Sequence, residues 1–157
     1  MPRALSPVAL ALLSAGALML SPSAGNAASR TQTLRFFDQP VSMTLTHPDG
    51  TVVTRAPFPE PQPGDRLDVD SLDYRGTHAH HAKHFSGSSH LRCVFGIGEP
   101  TCESHVAIGG SMLIFTGNPG TVTDGTGIYQ GATGRVVSTK QLAHDATDLV
   151  AKIHLRG

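Results

Sequence analysis

The chain has 157 residues, a formal net charge of zero, 39% hydrophobic and 5% aromatic residues, and two cysteines. Such an even charge balance gives no electrostatic footing for nucleic acid or an anionic membrane surface. About 130 residues follow an N-terminal leader, enough for one domain with a single core and too few for several.

The leader comes first. Arg3 precedes the uncharged apolar run "VALALLSAGALML" (Val8 to Leu20), and small residues lead to "SAGNAAS". Cleavage after Ala27 would leave Gly25 and Ala27 at the two small-residue positions, the order of a secretory signal peptide. The run is too short for the roughly 20 residues that cross a bilayer as a helix. Residues 1–27 are therefore expected to be a signal peptide and residues 28–157 a single exported domain, periplasmic or extracellular. No membrane contact is expected after cleavage. Loss of the leader removes Arg3 and no acid, which leaves the remainder at −1.

Beyond the leader the dominant period is two. "VSMTLTH" places Val41, Met43 and Leu45 on one face, and "PDG" (Pro48 to Gly50) reads as a turn into a second strand at "TVV". "APFPEPQPG" (Ala56 to Gly64) carries four prolines and is a connection. In "DRLDVDSLDYRG" the apolar phase slips: Leu67 and Val69 share one face, Leu72 and Tyr74 the other. The slip predicts a β-bulge near Asp70 and Ser71.

"THAHHAKH" (Thr77 to His84) holds four histidines. Extended, it would set His78, His80 and His84 on one face; His78 and His80 could hold one ion with His84, His90 or His105 as third ligand, and an imidazole-only set favours zinc, copper or nickel. The competing reading is a polar, half-exposed strand or loop beside the barrel mouth. That set is the one place for a metal ion; no other cofactor is expected.

Leu91, Cys93 and Phe95 alternate in one run, and Cys102, Ser104, Val106 and Ile108 in the next. The two runs form a hairpin with both cysteines on its apolar-rich face. In an exported chain this predicts a Cys93–Cys102 disulfide. "SMLIF" is a buried strand. "DLVAKIHLR" fits either a strand or a helical stripe, and strand over Asp148 to Leu155 is preferred, after a short helical turn. Strands with turn signals and almost no helix make an antiparallel barrel or sandwich.

"DGTGIYQGATGRV" (Asp124 to Val136) has glycines at 125, 127, 131 and 134. The spacing fails as a dinucleotide loop but suits tight bends at a barrel corner. "GTGIYQGATGRV" resembles the G-[ST]-G-x-[FY]-x-G-[AV]-x-G signature of the allene oxide cyclase and dirigent barrel superfamily. The strands "LRFFDQPVSMTL", "HLRCVF" and "DLVAKIHL" fall in matching order, and the resemblance spans roughly Thr33 to Leu155, closest to the exported bacterial members. It implies an all-β fold, an eight-stranded antiparallel β-barrel, that commonly associates as a homodimer or homotrimer.

The same resemblance brings little chemistry. Where plant allene oxide cyclases carry a glutamate on the first strand, this chain has Phe36 or Phe37; Asp38 stands near their asparagine, and Cys93 matches their cysteine. Asp70, Asp73, Tyr74 and Arg75 agree in type with the polar residues of dirigent proteins. No G-x-S-x-G elbow supports hydrolysis. Small barrels hold one apolar ligand at the mouth, and Phe36, Asp38, Tyr74, Phe95 and Tyr129 are the candidates to line such a pocket. Two functions stand: an exported cyclase-like or dirigent-like barrel that guides cyclisation or coupling of an apolar small molecule, and a non-enzymatic ligand-binding or structural barrel.

Overall fold

A computed structural model describes residues 30–54, 57–118 and 120–156. The expected leader, residues 1–27, lies outside the described residues. The strands in chain order are β1 (Arg30–Thr46), β2 (Val52–Val53), β3 (Arg66–Thr77), β4 (His80–His81), β5 (Gly87–Val94), β6 (Thr101–Ile108), β7 (Ser111–Thr116), β8 (Thr121–Thr126), β9 (Thr133–Gln141) and β10 (Thr147–Leu155). Two single turns of 3-10 helix, Gly127–Tyr129 and Ala143–Asp145, complete the order.

Every pairing is antiparallel. The order β1-β10-β9-β8-β7-β6-β5-β3 closes on itself because β1 also pairs with β3. The result is the expected closed eight-stranded barrel, with β2 and β4 as short flaps on β1 and β3. Alternation works as the sequence requires: Leu34 and Phe36 of β1, Leu113 and Phe115 of β7, and Ala151 and Ile153 of β10 are all buried. The carboxyl-terminal segment is strand, preceded by a 3-10 turn.

The glycine motif closes one end. The turn after β8 swings Tyr129 inward to 2% exposure, against a core that includes Leu34, Phe36, Ile108, Leu113 and Ala132. Gly125 makes this approach feasible: a Cβ there would lie 2.5 Å from the Tyr129 carbonyl oxygen and 2.8 Å from that of Met112. Only a residue without a side chain lets three backbones come so close.

At the opposite end, Cys93 and Cys102 face each other across β5 and β6, with Cα atoms 4.1 Å apart, and form the disulfide expected of them. Nearby the proline-rich connection is pinned by Asp65, whose side chain is fully buried. Its Oδ1 accepts from His47 Nδ1 at 2.8 Å, and its Oδ2 accepts the Gln62 backbone N–H at 2.8 Å. Those donors, the Gln62 amide foremost, hold the Asp65 carboxyl below the usual range.

Two sequence expectations are corrected. The bulge is not at Asp70 and Ser71 of β3 but opposite them in β1, where the register shifts between Pro40 and Ser42. Val41 is the extra residue. It turns outward to 62% exposure and so does not share the inner face of Met43 and Leu45. β3 itself keeps one phase throughout: Leu67, Val69, Ser71 and Asp73 all border the interior. What looked like a slip is a change from apolar to polar residues on a single inner face.

Candidate functional site

A cavity of about 400 Å³ runs inside the barrel. Gly117, Asn118, Gly120, Gln141 and Asp145 border it, and all belong to connections or strand ends at the disulfide end, which is the mouth. Tyr129 and its neighbours form the floor. The wall is largely Leu, Val, Phe, Met and Ala, together with the two cysteines.

Besides Ser104, Thr139 and the polar residues of the rim, a cluster of four polar side chains is set into this wall. Asp38 of β1 and Asp73 of β3 are direct cross-strand partners, and Ser71 and Ser89 are partners across β3 and β5. All four line the cavity; Asp73 is 3% exposed and Ser71 5%. The Ser89 hydroxyl lies 3.0 Å from Asp38 Oδ2 and 3.3 Å from Asp73 Oδ1. Its single proton serves one carboxyl at a time.

Like charges placed directly opposite on neighbouring strands repel. Two adjoining carboxyls that are largely buried resist ionising together, so the pair keeps one proton. Burial, followed by the charge of Asp38, pushes the Asp73 carboxyl up to about 8. Burial also raises Asp38, while hydrogen bonds from Asp73, Ser89 and Ser71 oppose the rise. At neutral pH the pair therefore shares one proton and carries one negative charge. Asp73 Oδ2 is buried and has no hydrogen-bond partner among the described residues. A carboxyl proton next to a carboxylate, bordering an apolar cavity, is an acid–base centre in form.

The structure separates the predicted pocket residues. Phe36 and Asp38 line the cavity, as do Cys93 and Cys102. Tyr129 is at the floor, in the core. Phe95 follows β5, half-buried, with its backbone bonded to Asp65 and Gly64. Tyr74 points outward from β3 and stacks with Phe37, ring centroids 5.9 Å apart. Ser71 and Ser89 were missed, and Asp73 was matched only by type. A signal existed: Leu67, Val69, Ser71 and Asp73 share one phase of the alternation.

The histidines of this segment lie outside the barrel. His78 and His81 pack on Phe37 with centroids 5.0 and 4.9 Å away, and the His78 backbone N–H donates to Asp148 Oδ1 at 2.6 Å. His80 and His84 are exposed. Among the described residues, no three His, Cys, Asp or Glu side chains are grouped to hold a metal ion. His78, His80 and His84 are thus not gathered into a ligand set, because the segment turns at β4 rather than running extended. Further round the outer surface, Asp68 accepts from Arg66 and Arg92, and Asp70 from His90. These exposed pairs are a solvated face.

No family model matches this chain, and no curated protein matches it. Among solved structures, pyocyanin demethylase superposes with a TM-score of 0.55 at 15% identity, covering 79% of this chain and 99% of that chain. At that identity the likeness shows the fold alone.

Proposed function

We propose that this protein is an exported barrel of the allene oxide cyclase-like and dirigent-like type that binds one apolar small molecule and guides its cyclisation or coupling. The observation that carries the reading is the cavity of about 400 Å³ with the Asp38–Asp73 pair in its wall. The volume lies within the range of small-molecule sites, and an apolar wall with a few convergent polar groups is their usual make-up. The wall would hold the ligand in a reactive shape. The pair would give a proton from Asp73 at one ligand atom or take one at Asp38 from another. The disulfide accords with export through residues 1–27, and association as a dimer or trimer belongs to the same proposal.

The neighbouring structure's name, pyocyanin demethylase, supports a small-molecule site in a barrel of this shape. A non-enzymatic ligand carrier is the second reading, favoured by the filled floor around Tyr129, which confines the ligand to the mouth half. Native purification from producing cells, then mass spectrometry of what denaturation releases, tests both. An apolar molecule near one equivalent supports the site, and its conversion during incubation separates cyclase from carrier. No released molecule, and no uptake of the neutral apolar dye Nile red, would overturn the reading.

A further inference from the structure

We propose that the cavity selects ligands bearing a positively charged nitrogen on an apolar skeleton, with the Asp38–Asp73 pair as their counter-ion. This rests on the reading that the cavity takes an apolar ligand, and narrows it to one charge class.

The sign of the cavity decides the matter. Three aspartates line it, Asp38, Asp73 and Asp145, and among the described residues no lysine, arginine or histidine does. Among the described residues, Asp38 and Asp73 themselves are the only titratable groups of β1, β3, β5 and β10 that line the cavity; Asp145 stands at the rim. Nothing in the wall neutralises the charge the pair retains. In a low-dielectric cavity an uncompensated carboxylate is costly, and a cation that arrives with an apolar body recovers that cost. A fatty-acid carboxylate would add a like charge and lose its own hydration.

A second, independent observation is the orphaned atom. Asp73 is 3% exposed, borders the cavity, and its Oδ2 has no partner among the described residues. Buried carboxyl oxygens are rarely left so. An N–H donor of a bound ligand would satisfy it, while Asp38 supplies the charge. The rim carboxylate of Asp145 adds a field of the same sign at the entrance, which draws cations inward. Proton balance follows: a cation beside the pair makes the second ionisation easier, so binding displaces the Asp73 proton to the buffer.

The test compares three ligands of one tail by isothermal titration calorimetry near neutral pH: decylammonium, decanol and decanoate. Decylammonium is expected to bind at least tenfold more tightly than decanol, with decanoate weakest. The double variant D38N/D73N is expected to bring decylammonium down to decanol's affinity. With the unsubstituted protein, the decylammonium heat is expected to differ between buffers of different ionisation enthalpy, reporting a released proton. That measurement decides the proposal even where the double variant does not fold. Equal affinities for decylammonium and decanol, decanoate binding ahead, or no proton release would overturn the charge claim and leave the apolar site standing. Binding of none of the three would overturn both.

Discussion

Asp38 and Asp73 oppose each other across the β1–β3 ladder with both side chains turned into the barrel. An aligned like-charge pair on an inner face opposes stability, since water and a cation are what carboxylates need. Replacing both with leucine would build a drier core. A buried carboxyl pair on an inner face is the mark of a site more than of a scaffold.

The pair fixes how stability depends on pH. The Asp73 pKa in the folded protein, about 8, lies above the unfolded value near 3.9. Stability linked to its proton is fully present below about pH 4 and is lost as pH rises through about 8. Asp38 is raised and acts in the same sense. Asp49, Asp65 and Asp68 are lowered, and their contribution is lost only in acid. Urea unfolding should therefore show stability falling between about pH 5 and pH 9. In D73N, which imitates the protonated carboxyl, the slope should flatten and the variant should gain about 1 kcal/mol or more at the alkaline end. Parallel curves for the two proteins would refute the shared proton.

Reduction of Cys93–Cys102 reopens a loop with a sequence separation of 9. Loop-closure entropy puts the loss at about 2–3 kcal/mol. A C93S/C102S variant should unfold at correspondingly lower urea, and addition of dithiothreitol should lower the unsubstituted protein to the same midpoint.

Glycines 125 and 96 should behave oppositely. An alanine Cβ at Gly125 meets the Tyr129 and Met112 carbonyls, whereas one at Gly96 meets nothing within 4 Å. G125A is expected to cost about 1–3 kcal/mol by overpacking. G96A should stay within about 0.5 kcal/mol of the unsubstituted protein. Equal losses at the two sites would contradict the floor described for the barrel.

Left-handed backbone at the mouth offers a gain. His144 and Asp145 both have positive φ, 56° and 58°. A histidine in that region carries steric cost, on the order of 1 kcal/mol, that glycine avoids. H144G should raise the melting temperature by a few degrees; a lower one would show that the His144 side chain has a partner worth more than the strain.

The fold was legible because it is written in local chemistry. Alternation located the strands, the glycine motif located a corner, and two cysteines in phase on neighbouring strands located their own bridge. The site was hidden by the same alternation. In β3 the inner face passes from Leu67 and Val69 to Ser71 and Asp73, and a rule that seeks apolar residues inside reads this as a bulge. The true bulge at Val41 was masked because valine fits an apolar phase equally well. The histidines do not line up on one face because the chain reverses at His80–His81, folding the segment back on Gly76 and Thr77. Phe37, at 6% exposure on the outer surface, is what His78 and His81 cover.

Carbon-13 NMR titration of the aspartate carboxyls is the most direct test of the central claim. One carboxyl of the Asp38–Asp73 pair should keep its proton until about pH 8, with D38N removing the charge that holds it there and bringing the transition down. Two independent titrations near pH 4 would contradict the account.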